Sequence, residues 1–204
     1  MVYILFIDYM KNMKYRLLQS AFINFYARGF DKAGINEILS EAGVYKKTMY
    51  HYFESKDDLG VAYIRAQAVV YLKMMRKITF RHDDFSAFWQ SWNRNFRRMV
   101  QTDGYFGCPF ANFNNQTLGR SQKFSAEISH IMQLWINSLT SGISRMKSGG
   151  SLLSKKIAES LAERLLVLIE GVIQMYMIQR NPKYLKILEE EGLRIAEFYF
   201  QPSL

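Results

Sequence analysis

AGVYKKTMYHYFESKDDL, residues 42–59, is the stretch on which the reading of the whole chain turns. One glycine turn is followed by two adjacent lysines, a threonine, two tyrosines and a histidine. Such a helix is too polar for a core and too aromatic for an ordinary solvated surface. Immediately upstream, GINEILSEAG sets Ile35, Ile38, Leu39 and Ala42 at helical spacings and stops at Gly43. Two short helices joined by a tight glycine turn are the helix-turn-helix arrangement, whose second helix enters the DNA major groove. The spacing predicts that second helix from about Tyr45 to Phe53, with Met49 and Phe53 facing inward. Lys46 and Tyr50, Lys47 and His51, and Thr48 and Tyr52 then form pairs one turn apart on the outer faces. Lysine neutralises phosphate, hydroxyls donate to phosphate oxygens, and aromatic faces rest on sugars and thymine methyls. A DNA groove is the surface that suits this mixture. Taken alone, the pattern also fits a solvated turn of an unrelated bundle.

Working outward, MKYRLLQSAFINFYAR (residues 13–28) carries Leu17, Leu18, Ala21, Phe22, Phe25 and Tyr26 on one helical stripe. Gly29 is placed to cap it, with Phe30 folding back. Downstream, Ser55 and Asp58 have the spacing of a capping box, which opens a long helix to about Thr79. FRHDD breaks that helix. A fifth helix over 85–101 bears Phe85, Phe88, Trp89, Trp92, Phe96 and Met99. A short helix over Phe110–Leu118 and a longer one from about Ser125 to Lys147 follow. SGGS (148–151) reads as a linker, and helices over about 154–180 and 182–200 complete the chain. No strand-like alternation of useful length and no internal repeat are present. The expected fold is all-α, with about nine helices.

Composition narrows the function classes. The chain has 204 residues, 49% apolar, with only three prolines, which suits long helices with short connections. Its net charge of +9 favours an anionic partner. That excess is uneven: eight cations face seven acids in residues 1–60, twelve face four in 61–150, and seven face seven thereafter. Net charge therefore does not locate the DNA-binding module; the local pattern does. One cysteine, Cys108, excludes an internal disulfide framework and fits a reducing cytoplasm; its expected role is an inert packed thiol. The opening MVYILFI is too short to span a membrane and lacks a secretory layout; a translation start at Met10 or Met13 is the plainer reading, with the leading residues as a short extension the other. His51, His82 and His130 show no metal-ligand spacing, and no nucleophile triad or phosphate loop stands out. No metal, cofactor or enzymatic activity is expected.

The run AGVYKKTMYHYFESKDDL resembles the signature of the TetR family of transcriptional regulators: a Gly-Val turn, a short helix ending near Tyr-x-x-Phe, then Lys and an acidic pair. LLQSAFINFYARGFDKAGINEILSEAG is similar to the family's first two helices, so the resemblance is close over residues 13–64. It implies an amino-terminal three-helix DNA-binding domain in residues 1–60. A larger domain for effector binding and dimerisation would occupy 61–204. Carried over by position, Tyr45, Lys46 and Lys47 would begin the recognition helix, and Thr48, Tyr50 and Tyr52 would reach the DNA backbone. Lys56 would bind phosphate, and Asn36 would touch base or backbone. Gly34, Tyr45 and Lys47 depart from the residues usual at their positions, which leaves the operator sequence open.

The second half resembles the family less specifically. GYFGCPFANFNNQT and LIEGVIQMYMI match patterns seen in some members. The aromatic residues Trp92, Phe96, Phe110, Phe113, Met132 and Trp135 fit either a plain core or an effector pocket for a flat, apolar ligand. Asn114, with Asn112 and Gln116, would supply polar anchors. The helix over 154–180 is apolar nearly all round and needs cover on both sides. Leu168, Ile169, Val172, Tyr176 and Leu188 are accordingly expected at a homodimer interface, with a merely buried helix as the alternative. The resulting expectation is a homodimeric repressor of a palindromic operator, released by a small hydrophobic effector. A regulator without an effector, and an all-helical enzyme, are the competing readings.

Overall fold

The computed structural model describes residues 12–118, 120–148 and 151–200; the MVYILFI segment lies outside them. Nine helices occur among the described residues: α1 (Met13–Ala27), α2 (Ile35–Ala42), α3 (Lys46–Tyr52), α4 (Lys56–Thr79), α5 (Phe85–Val100), α6 (Pro109–Thr117), α7 (Gln122–Ile143), α8 (Lys155–Gln179) and α9 (Lys183–Phe200). No described helix is long and apolar enough to cross a membrane. The all-α expectation holds. One feature differs: part of the expected SGGS linker pairs as a two-residue antiparallel ladder, with Lys147 opposite Leu152 and Ser148 opposite Ser151. Gly149 and Gly150 between them lie outside the described residues.

Local chemistry fixes the helix ends. Asn12, Asp84 and Ser154 cap α1, α5 and α8 with side-chain oxygens that accept from Lys14, Ala87 and Ile157 amides. Gly43 ends α2 at φ +59, a left-handed conformation that costs glycine little. Ser55 Oγ accepts from the Asp58 amide at 3.1 Å and donates to the Asp58 carboxylate at 2.8 Å, the start signal expected for α4.

The chain divides into two compact units. The first takes residues 1–70 together with 108–131, and the second takes 71–107 together with 132–204. The core of the first is a knot of aromatic rings around Phe30, which is fully buried. Phe25, Phe113 and Phe124 lie 4.9, 5.0 and 5.3 Å from it, the last two edge-on. Gly60 on α4 leaves room for the knot; a Cβ there would lie 2.8 Å from Phe30 and 3.1 Å from Phe113.

The second unit is built differently. Along α5, Trp89 stacks on Trp92 at 5.2 Å and Trp92 on Phe96 at 5.1 Å. Trp89 packs onto α9 where Gly192 offers no side chain, and its indole N–H donates to the Glu189 carbonyl at 3.1 Å. Helices α8 and α9 pack along each other and bury Leu161, Leu165, Ile169, Val172, Leu185 and Leu188.

Candidate nucleic-acid interface

Helix α3 is held from behind. Met49 is fully buried and Phe53 nearly so, as the spacing predicts, and Val44 tucks in at the turn. The platform for the turn is partly polar. Ser20 and Asn24 on α1 are buried, and both donate to the Glu41 carboxylate of α2, at 2.9 and 2.6 Å. Arg16 reaches the Gly43 carbonyl at 3.4 Å, and Arg28 pairs with Glu37. These bonds tie α2 to α1, and the turn after α2 then sets the direction of α3.

The expected DNA-facing residues on α3 occupy the faces that Met49 and Phe53 leave free. Tyr45, at the amino end of α3, is 86% exposed, and Tyr50 is 47% exposed. Lys46, Lys47 and His51 are exposed, Thr48 and Tyr52 are half-buried, and Asn36 is exposed on α2. His51 and Tyr52 meet edge-on at 5.1 Å. Two lysines in the first turn oppose the helix dipole, and no acidic residue there offsets them. Placing each cation at that end costs roughly 0.3–1 kcal/mol. α3 also lacks a side-chain cap, so these residues do not stabilise their own helix. What they provide is a cationic, hydroxyl-bearing ridge able to meet a polyanion.

Lys56 sits at the start of α4. Its ammonium lies 4.6 Å from the centre of the Phe30 ring and 3.4 Å from the Asp31 carbonyl. Desolvation, and secondarily the neighbouring Arg120, hold its pKa below the ordinary lysine value. Arg120 is a neighbour that the sequence did not reveal; it lies 89 positions from Asp31, with which it pairs at 2.5 Å. Gln116 is a second such contact. Expected as a ligand anchor, it instead accepts from the Phe30 amide at 2.8 Å.

The residues expected to form one effector pocket divide between the two units. Phe110, Phe113 and Asn114 belong to the first; Trp92, Phe96, Met132 and Trp135 belong to the second. Phe113 is enclosed by the rings of Phe30, Tyr63 and Phe124, and Phe110 is equally buried. In the second unit Trp135 lies 5.9 Å from Tyr71, while Met132 is half-buried. Asn93, overlooked in the sequence, is 1% exposed on α5: its amide donates to the Trp89 carbonyl at 2.8 Å and its oxygen has no partner.

The residues expected at a dimer interface are mostly covered already. Ile169, Val172, Tyr176 and Leu188 are buried by the chain's own helices, and Leu168 is half-buried. The large apolar side chains left outside on α8 and α9 include Val167 (74% exposed), Ile178 (73%) and Phe198 (74%). Gly171 is exposed among them, with open space where a Cβ would stand.

Comparison with known proteins agrees with this arrangement. The sequence profile of the bacterial regulatory proteins of the tetR family matches residues 17–63. Transcriptional regulator AcuR of Cereibacter sphaeroides is 25% identical over 160 residues, spanning 76% of this chain and 72% of that protein. HTH-type transcriptional repressor DhaR of Mycobacterium sp. is 25% identical over 158 residues, spanning 77% and 78%. A TetR-family transcriptional regulator from Streptomyces coelicolor superposes with a TM-score of 0.79 at 18% identity, over 93% of this chain and 96% of that one. Reduced NemR of E. coli superposes at 0.74 with 19% identity, over 90% and 97%. With a helix-turn-helix carrying its cations outward and relatives matched along most of their length, the chain belongs to the TetR family of DNA-binding transcriptional regulators, a family of regulators rather than enzymes.

Proposed function

We propose that this regulator is a cytoplasmic repressor that binds a palindromic operator as a homodimer and is released by a small, largely apolar effector. The functional division follows the sequence: residues 1–60 read DNA, and 61–204 bind the effector and dimerise. The observation that carries the reading is the α3 ridge, where Lys46 and Lys47 are displayed against their own helix's dipole beside an exposed Tyr50, while Met49 anchors it. Tyr45, Thr48, His51, Tyr52 and Asn36 extend the same surface, with Lys56 as a phosphate contact at its edge. Two such ridges, one per subunit, would enter successive major grooves.

Dimerisation in this proposal uses the outward faces of α8 and α9. A residue covered by its own chain has little surface left for a partner, so the contact is carried by Val167, Gly171, Ile178 and Phe198 instead of Ile169, Val172, Tyr176 and Leu188. Exposed apolar side chains at that spacing favour a helix from a second subunit.

Effector binding is assigned to the second unit, with Trp92, Phe96, Met132 and Trp135 as aromatic and apolar walls. Asn93 supports this, because a buried carbonyl oxygen without a donor is an acceptor open to a ligand. Release follows if the ligand favours a conformation of α4 that spaces the two ridges wrongly. DhaR, a transcriptional repressor, favours the same sign of regulation.

The reading is tested by selecting duplexes from a random pool, then titrating the recovered duplex with native protein and with a Lys46→Ala, Tyr50→Ala double variant. The expected result is a palindromic site, loss of retention for the variant, and an unchanged sedimentation coefficient. Full retention by the variant, or a non-repeating site bound by one subunit, would contradict it.

A further inference from the structure

The turn between α6 and α7 brings two cations to the edge of the reading head, both within the first compact unit. Arg120 donates to Asp31 at 2.5 Å, and its second terminal nitrogen lies 3.5 Å from Asp57. Lys123 pairs with Asp58. Arg120 also lies over the Phe30 ring at 5.0 Å, the ring that carries Lys56 at 4.6 Å. Lys56 therefore sits in a cluster in which three cations face three carboxylates.

The acids are the puzzle. Asp57 and Asp58 suit the first turn of α4, where carboxylates favour the helix dipole, and Asp58 completes the cap. The same carboxylates repel phosphate. Without Arg120 and Lys123, Lys56 would be the one cation among three acids, and the rim would carry a net charge of −2. Ion pairs as exposed as these contribute little to stability, so folding alone gives weak reason for them. Their effect on an approaching polyanion is larger, because like charges facing each other across an interface are costly.

We propose that Arg120 and Lys123 are positioning residues for DNA binding: they neutralise Asp31, Asp57 and Asp58, so that phosphate meets Lys56 at a neutral rim instead of an acidic one. The inference rests on the reading of Lys56 as a phosphate contact. It places part of the DNA-binding machinery about sixty residues beyond the helix-turn-helix, on a segment with no helix-turn-helix signature of its own.

The experiment uses the full-length protein and the duplex it selects from a random pool, titrated over a range of salt concentrations. Arg120→Gln is expected to weaken binding about ten-fold at low salt, by unmasking two carboxylates. The slope of log K against log salt stays as in the native protein, because no phosphate contact is lost. Asp31→Asn with Asp57→Asn is expected to raise the affinity far more beside Arg120→Gln than in the native protein, a coupling that neither a direct phosphate contact nor a structural clasp would give. A slope lower by roughly one would mark Arg120 as a phosphate ligand and overturn the proposal. So would neutralised acids that raise the affinity equally with and without Arg120→Gln, or no loss at all. Lys56→Gln, run in parallel, shows whether the rim meets phosphate: a native slope there places the failure in the Lys56 reading, whatever Arg120→Gln does.

Discussion

The two compact units use the same aromatic residues to opposite ends. In the first, phenylalanines turn inward and meet edge-on around Phe30, and the outer face of α3 carries lysines, tyrosines and a histidine. In the second, α5 stacks its rings face to face, Asn93 on the same helix keeps a buried oxygen without a partner, and α8 and α9 leave Val167, Ile178 and Phe198 in solvent. The first unit pairs an aromatic core with a cationic ridge on α3, a surface that suits a polyanion. The second unit leaves apolar side chains of α8 and α9 in solvent, the surface on which the proposed dimer contact rests. Residue type alone does not separate these roles; what each ring touches does.

The most severe way to break that contrast is at Phe113. As a wall of an effector pocket it would tolerate truncation, but as a member of the packed knot around Phe30 it would not. Phe113→Ala is expected to cost about 3–5 kcal/mol, the usual range for emptying a fully packed aromatic site. Denaturant unfolding measures it directly. A loss below about 1 kcal/mol, well short of ordinary core truncations, would return Phe113 to the pocket.

Two glycines sharpen the contrast within the second unit. At Gly192 a Cβ would stand 2.2 Å from the Trp89 ring, which is fully buried and cannot swing away. Gly192→Ala should therefore destabilise the protein by roughly 1–3 kcal/mol, the cost of overpacking. At Gly171 a Cβ meets nothing within 4 Å. Gly171→Ala should leave the fold of the single chain intact and add up to about 1 kcal/mol in helix propensity. If a second subunit lies close against α8 there, the same variant weakens the dimer while stabilising the chain. Sedimentation equilibrium beside thermal unfolding separates the two effects. A dimer tightened in step with the fold would move the interface away from Gly171.

How much of this was legible in the sequence depends on distance along the chain. The helix-turn-helix was readable because its signals are local: the Gly43 turn, the Ser55–Asp58 cap, and Met49 and Phe53 four apart. Ser20 and Asn24 were not legible as buried residues, because the carboxylate that satisfies them belongs to Glu41 on another helix. Gln116 looked like a ligand anchor because its partner, the Phe30 amide, is 86 positions away. On α8 the apolar periodicity identified a helix in need of cover on two sides. It does not say which side the chain itself takes: Ile169, Val172 and Tyr176 are buried, while Val167 and Ile178 remain outside. Phe110 and Phe113 resemble Trp92 and Phe96 in composition, yet the fold assigns the two pairs to different units.

The smallest expected effect concerns the charges that bind α7 to the first unit. The hydrogen bond from Lys123, then that from Ser55, holds the Asp58 pKa below its ordinary 3.8. The Arg65 guanidinium, which grips Glu127 with two bonds of 2.8 and 2.6 Å, lowers that carboxylate likewise. Both groups are more acidic folded than unfolded. Their contribution is thus present above the unfolded carboxylate range and disappears as pH falls through the depressed folded values. Stability should be flat near neutrality with respect to these two groups and decline in acid. Asp58→Asn should cost no more than about 1 kcal/mol near neutral pH, as for other exposed pairs, and nothing once Asp58 itself is protonated. The native and variant curves of unfolding free energy should therefore converge at low pH. Parallel curves down to the most acid point would mean that Asp58 acts through its shape in the cap and not through its charge, leaving Lys123 without a stabilising part in the first unit.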